Sequence, residues 1–262
     1  MKQSQAKKRD NAMTNKILMG LIALVLGLLF LEILIVHSKN EQQKNASNQV
    51  QTARIMANGD LLYHDGLYMS ALQADGSYDF TENFTYVKPW LKQADLVLGD
   101  FEGTINPDYP LSGYPLFNAP QSVTAAIKDA GYDVMDLAHN HILDSGLEGA
   151  FTTADAFKKV GIDPIGVYEK PVRDKAPLLI KNVNGIKVAI LSYAYGYNGL
   201  ESNLTDKEVA DHLSNLDEKR MKAEIQRAEK EADITVIMPQ MGVEYRLEPT
   251  DEQVKLYHKM ID

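Results

Sequence analysis

The chain has 262 residues, of which 45% are hydrophobic and 24% charged, and this ordinary balance excludes a wholly disordered or collagen-like protein. Residues 1–16 contain five Lys or Arg and one Asp, a net charge of +4, so the remainder must carry −13 to give the total of −9. An acidic body argues against nucleic acid as a partner, because nucleic-acid binding needs a basic face. The absence of cysteine excludes disulfides, thiolate metal ligands and a thiol nucleophile.

The segment Ile17–Val36 predicts a membrane anchor. Its 20 residues include a single charge, Glu32, and would span about 30 Å as a helix. It is longer than a signal-peptide core and no small-residue cleavage site follows it. The basic residues before it place the N-terminus in the cytoplasm and the body outside the cell membrane, as a single-pass protein. Residues 37–52 are polar and predict a flexible stalk.

From residue 53 onward, short apolar runs alternate with helical patterns, which is typical of an α/β protein. Asn184-Gly185 between two apolar runs predicts a hairpin with a type I′ turn. In chain order, the predicted strands are at 54–58, 96–98, 134–138, 164–167, 178–183, 186–192 and 234–238, with 178–183 and 186–192 forming the hairpin. The predicted helices end at 90–94 or lie at 122–130, 147–160, 216–232 and 251–261.

Several predicted strands end in polar residues. Ligands of open α/β sheets bind beyond the carboxyl ends of the strands, so we expect these side chains to converge on one edge. The first three groups are Asp60, then Asp100 with Glu102, then Asn140 with His141; a fourth strand leads to Gln240 and Glu244.

The chemistry of these groups favours a cation. Asp100 and Glu102 are two residues apart, so in an extended chain they share a face, and paired carboxylates suit hard divalent ions. An ordinary acidic turn is the alternative. Residues 136–144 hold two His, one Asn and two Asp, a set that suits Mn, Zn or Fe. Tyr193, Tyr195 and Tyr197 form either a substrate platform or a packed aromatic edge.

Taken together, Gly59-Asp60, the Gly-Asp-Phe-Glu-Gly at 99–103 and the Ala-His-Asn-His-Ile-Leu-Asp-Ser-Gly at 138–146 resemble the CapA/PgsA-type capsule-synthesis proteins. That family is associated with poly-γ-glutamate capsules and is similar to the calcineurin-like metallophosphoesterases. The resemblance covers residues 53–262 and implies a metallophosphoesterase-like domain of layered sheets and helices. It also implies a membrane-anchored extracellular protein of capsule polysaccharide or poly-γ-glutamate biosynthesis, export or attachment, working with other capsule-synthesis membrane proteins.

The resemblance also implies roles for individual residues. His141 would act on the substrate as the catalytic residue, in a two-metal hydrolysis. The metal ligands would be Asp60, Asp100, Glu102, Asn140 and Gln240, and the substrate contacts His139, Asp144 and Glu244.

Two departures from the family pattern weaken the expected activity. Gln240 stands where the family usually has a histidine, and the family's closing Gly-His-x-His is absent. We therefore expect an incomplete domain that lacks its C-terminal part, with an open sheet edge and weak or no enzymatic activity. Two alternatives stay open: an extracellular phosphoesterase that depends on a divalent metal, and an inert truncated remnant.

Overall fold

The computed structural model describes residues 19, 27–39, 50–243 and 245–262. The chain divides into two units, residues 1–51 and residues 52–262. In the first unit, residues 27–39 are helical. Within the described part of the chain, no helix combines the length and apolar character needed to cross a bilayer. The predicted basic tail at 1–16, residues 17, 18 and 20–26 of the predicted anchor at 17–36 and most of the predicted stalk at 37–52 lie outside the described residues.

The second unit is built around two β-sheets. The first has four strands in the order β1 (Ile55–Leu62), β2 (Leu96–Glu102), β3 (Val134–Asp136) and β4 (Asp163–Ile165), and every neighbouring pair is parallel. Because parallel strands all point the same way, their carboxyl ends meet at one edge of the sheet.

The second sheet has three strands, β5 (Leu179–Val183), β6 (Ile186–Ala194) and β7 (Ile234–Gln240). β5 and β6 form an antiparallel hairpin, and β7 runs parallel to β6. Asn184 and Gly185 in the hairpin turn have φ angles of 53° and 91°, as a type I′ turn requires.

Helices cover the outer face of each sheet. In chain order they are α1 (Asp65–Ser70), α2 (Lys88–Leu91), α3 (Val123–Ala130), α4 (Gly146–Lys159), α5 (Asp206–His212), α6 (Glu218–Glu231) and α7 (Asp251–Ile261), with 3₁₀ turns at Thr81–Phe84, Arg173–Lys175 and Leu200–Asn203.

Alternation along the strands sorts side chains into layers. On β2, Leu96 and Leu98 point towards the second sheet and join one apolar cluster with β6 residues such as Ile190. Val97 and Phe101 point the other way, into the cluster formed with the helices on the outer face of the first sheet. A third cluster holds the opposite face of β6 against α6 and α7. The unit is therefore a helix–sheet–sheet–helix sandwich.

The predicted α/β class with a parallel sheet is confirmed, and element boundaries differ by a few residues. β3 ends at Asp136 rather than Ala138, because the Asp136 carboxylate accepts the Ala138 N–H (2.8 Å) and turns the chain. The short helices α1 and α5 were not predicted. For α5 the sequence carried a signal, since Thr205 and Glu208 form a capping box at its start.

Candidate functional site

Three aspartates line up across the carboxyl edge of the first sheet. Asp60 on β1 is in register with Asp100 on β2, and Asp100 is in register with Asp136 on β3. The β1–β2 register shifts between Ala57 and Asp60, and this irregularity brings Asp60 opposite Asp100. Glu102, two residues further along β2, continues the acidic row.

The local environment makes three of these acids, Asp100, Glu102 and Asp136, hard to ionise. Asp100 is only 7% exposed, and burial together with the neighbouring Asp136 and Asp60 raises its pKa to about 9. Burial, followed by its contact with Asp60, raises the pKa of Glu102 to about 7. Burial also raises the pKa of Asp136, to about 8. The row thus concentrates carboxyl groups that would be stabilised in their charged form by a bound cation.

The loop after β3 carries the imidazoles. His139 is completely buried, and its Nδ1 accepts the N–H of His141 at 3.1 Å. Burial, with a further contribution from His141, lowers the pKa of His139 to about 3. This corrects the predicted substrate contact of His139, because its ring supports the loop from the core and is not presented to a ligand.

His141 lies at the front of the same loop. Its Nδ1 is 2.8 Å from Asp144 Oδ2, and its Nε2 is 3.7 Å from Glu102 Oε1. The edge of its ring packs against Phe117, with ring centroids 4.8 Å apart. Asp144 Oδ2 also accepts the Phe117 N–H at 2.6 Å, so Asp144 orients the imidazole and is itself held by the backbone.

Side-chain amides from both sheets meet beside the acids. Gln240, at the end of β7, donates from Nε2 to Asn140 Oδ1 at 2.8 Å. Asn140 in turn donates from Nδ2 to Asn198 Oδ1 at 3.1 Å. Asn140 is 5% exposed, so this amide pairing is largely shielded from water.

Two cavities open on either side of Gln240. One, of about 350 Å³, is lined by polar residues Asn58, Asp60, Asp100, Asp136 and Gln240 together with apolar neighbours. The other, of about 330 Å³, includes Glu102, Asn140, Tyr195, Gln240 and Arg246 in its lining. Tyr195 is 47% exposed and lines this second cavity, whereas Tyr193 and Tyr197 are buried in the core.

The structure brings together most of the residues singled out in the sequence. Seven of them line one of the two cavities or lie beside them at the strand ends: Asp60, Asp100, Glu102, Asn140, His141, Asp144 and Gln240. Glu244 lies outside the described residues. Asp136 was counted among the two aspartates of residues 136–144, but its place beside Asp100 was not predicted. Asn198 was missed, because it had no local signal in the sequence.

The donor chemistry of the region fits a hard cation. Asp100 Oδ1 and Gln240 Oε1 are buried and have no hydrogen-bond partner among the described residues, so acceptor oxygens without donors belong to residues that line the first cavity. Among the described residues, no group of three or more His, Asp or Glu side chains is already gathered closely enough to hold a metal ion. A cation would therefore have to draw the carboxylates together.

The fold and the strand-end region define an α/β protein with an acidic, amide-lined cleft. Comparison with known families is more specific. The family model for the bacterial capsule synthesis protein PGA_cap matches residues 54–262. The chain belongs to this family of capsule synthesis proteins.

Two curated relatives agree with this assignment. The chain is 30% identical over 188 residues to the capsule biosynthesis protein CapA of Bacillus anthracis, which covers 68% of this chain and 45% of the relative. It is 26% identical over 258 residues to the PGA biosynthesis protein CapA of Bacillus subtilis strain 168, covering 97% of this chain and 66% of the relative. The chain thus spans between about half and two thirds of the length of these relatives.

A solved structure shows a more distant likeness. It is a putative 5′-nucleotidase from Staphylococcus aureus in complex with alpha-ketoglutarate, with 15% sequence identity and a TM-score of 0.48. The match covers 75% of this chain and 39% of that one. A likeness at this level supports no argument about function.

Proposed function

We propose that this protein acts at the bacterial cell surface in the biosynthesis, export or attachment of a capsule polymer, poly-γ-glutamate or polysaccharide. The observation that carries the proposal is the family match over residues 54–262, which includes every strand-end residue described above. The relative from Bacillus subtilis is named for PGA biosynthesis, in keeping with such a polymer.

The proposed arrangement in the cell follows from the sequence. Residues 17–36 would cross the cell membrane, with residues 1–16 in the cytoplasm and the domain at 53–262 outside. The polar residues 37–52 would hold the domain away from the lipid and leave it free to contact other capsule-synthesis membrane proteins. Protease added to intact cells would digest the domain but spare an N-terminal tag; protection of the domain would overturn this orientation.

The cellular role is tested by deletion in a strain that makes the polymer. Loss of surface polymer, measured by staining and by glutamate release after hydrolysis, is expected and should be restored by the wild-type gene. A D60N/D100N double variant is expected to restore little polymer, while D75N, which alters an exposed aspartate outside the acidic row, should complement fully. Unchanged polymer in the deletion strain would contradict the proposal.

We also propose that the acidic cavity binds one divalent cation, with metallophosphoesterase-like chemistry as the second candidate function. Asp60, Asp100 and Glu102 would hold the ion, with amide oxygen from Asn140 or Gln240. A bound cation would polarise a phosphoryl or carbonyl oxygen of a substrate. His141, oriented by Asp144, is placed to exchange a proton with that substrate.

Among the expected ions, Mn is favoured over Zn and Fe because the described donors around the cavity are oxygens and Gln240 adds an amide in place of an imidazole. Titration of the full chain, purified in detergent, with Mn²⁺ should show one site that is lost in D60N/D100N and kept in D75N. Hydrolysis of a phosphomonoester by the Mn²⁺-loaded protein would support the phosphoesterase, whereas binding without turnover would leave the cation a structural role. Absence of cooperative thermal unfolding would instead support an inert remnant.

A further inference from the structure

A chain of three side-chain amides crosses the cleft and ends at an imidazole. Gln240 donates to Asn140 at 2.8 Å, and Asn140 donates to Asn198 at 3.1 Å. The Asn198 Nδ2 atom lies 3.4 Å from both ring nitrogens of His141. Asn198 comes from the loop after β6, in the second sheet, and lies 58 residues from Asn140 in the sequence.

The imidazole sets the direction of this chain. The Asp144 carboxylate can only accept a hydrogen bond, so His141 Nδ1 donates across their 2.8 Å contact. Asn198 lies with its NH₂ group, and not its Oδ1, towards the ring. With its NH₂ group committed there, Asn198 presents Oδ1 to the NH₂ group of Asn140.

The hydrogen bonds at the Gln240 end of the amide chain follow the same rule of one donor for each acceptor. Asn140 donates from its NH₂ group to Asn198, so its Oδ1 is left to accept from Gln240. Gln240 therefore donates from its own NH₂ group. The remaining Gln240 atom, Oε1, is buried and has no hydrogen-bond partner within the part of the chain that the structure describes, and Gln240 lines the cavity that contains Asp60 and Asp100. Turning a single amide round would set oxygen against oxygen or NH₂ against NH₂ within the chain.

The backbone at Asn198 is adapted to this position. Its φ is 55°, in the left-handed region, and Gly199 follows with a φ of 80°. Asparagine tolerates this conformation better than most residues, and strained backbone of this kind concentrates at functional sites. The turn thereby directs a polar side chain from the second sheet into a site whose acidic groups come from the first.

We propose that Asn198 is a positioning residue, which orients the amides of Asn140 and Gln240 so that Gln240 directs its Oε1 into the acidic cavity as a cation ligand. The inference rests on the proposed cation site for the identity of the ligand. It goes beyond that proposal in assigning a role to Asn198 and a direction to the hydrogen bonds.

The first test follows the side-chain amide of Gln240 by NMR, in the full chain labelled with ¹⁵N-glutamine and purified in detergent. Its signal is assigned by its loss in Q240E. N198G removes the side chain while accommodating the positive φ, and N198D keeps the acceptor for Asn140 Nδ2. We expect N198G to move the Gln240 signal, N198D to move it less, and the exposed control N203G to leave it unchanged. An unmoved Gln240 signal in N198G overturns the proposal.

The second test measures Mn²⁺ affinity of the same variants by EPR of the free ion. Since residues behind the ligands typically contribute a factor of about 10–100 to metal affinity, N198G should bind about tenfold more weakly, with N198D and N203G close to wild type. Equal affinity of N198G and wild type overturns the role of Asn198 and leaves the proposed function standing. A wild-type protein that binds no Mn²⁺ overturns both the cation site and the ligand role of Gln240.

Discussion

Two buried polar clusters in this molecule are built on opposite principles. One surrounds Arg173 at the second sheet, and the other is the acidic row at the carboxyl edge of the first sheet. Both take charged or ionisable groups out of water. Only the first surrounds them with complementary partners.

Arg173 is 3% exposed and its guanidinium is fully engaged. Nε and Nη2 donate to the two carboxylate oxygens of Glu224, each at 2.9 Å, and Nη1 donates to the Leu213 carbonyl and to Asn215. The hydroxyl of Tyr193 donates to Glu224 at 2.8 Å. This paired and hydrogen-bonded arrangement ties the 3₁₀ turn at Arg173–Lys175 to α6 across 51 residues of sequence.

The acidic row has hydrogen bonds, such as the one from Ala138 N–H to Asp136, but no cationic partner among the described residues. Asp60, Asp100 and Asp136 stand in register, and no described ion pair links any of the three to Lys or Arg. Burial and, after it, repulsion from Asp136 and Asp60 raise the pKa of Asp100, while the contacts of Arg173 explain its burial in structural terms. The difference teaches that a buried charge with all its partners serves the fold, whereas buried carboxyl groups without a cationic partner are still able to accept one from a ligand.

The largest effect is expected from breaking the satisfied cluster. R173M leaves the Glu224 carboxylate without its guanidinium and should lower the free energy of unfolding by about 3–5 kcal/mol. Urea denaturation followed by circular dichroism measures the change. Removing both charges, in R173M/E224Q, should cost less than the single variant. A loss below about 1 kcal/mol in R173M would contradict a structural role for the cluster.

A smaller change, an increase in the free energy of unfolding, is expected when Asp100 of the acidic row is replaced by a neutral residue. The folded pKa of Asp100, about 9, lies above its ordinary value of 3.8, so the folded state binds the extra proton and stability is lost as pH rises through this interval. In EDTA, D100N should gain stability relative to wild type between pH 5 and pH 8, by at most about 4 kcal/mol, because the linkage is worth about 1.4 kcal/mol for each pH unit. Urea denaturation at the two pH values measures this, and parallel pH dependence of the two proteins would contradict it.

The smallest effect is expected at an exposed pair. Asp155 and Lys158 on α4 are 3.1 Å apart, and both side chains are about half exposed. D155N should change the free energy of unfolding by no more than about 0.5 kcal/mol, because water screens such pairs. The same variant serves as the control for D100N, since its stability should follow pH as wild type does. A large loss of stability in D155N would contradict the expectation that exposed charges contribute less to stability than buried ones.

Much of this architecture could be predicted from local patterns. The Asn184-Gly185 turn follows from the positive φ angles that only a few residue types adopt easily. The buried strands follow from their apolar runs, and placing Asp60, Asp100 and Asn140 at strand ends follows from chain direction in a parallel sheet. The burial of His139 could not be predicted, because His139 and His141 flank Asn140 in the same loop and only the packing of that loop decides which ring is buried.

The sequence by itself determined the α/β class, the hairpin turn and the polar strand ends, because these depend on interactions among residues a few positions apart. Only the tertiary structure decided that Asp136 joins the acidic row and that Asn198 reaches Asn140. It also decided that the amide of Gln240, 100 residues away, meets Asn140. Those contacts depend on strand register and on the packing of one sheet against the other, which no short stretch of the chain encodes.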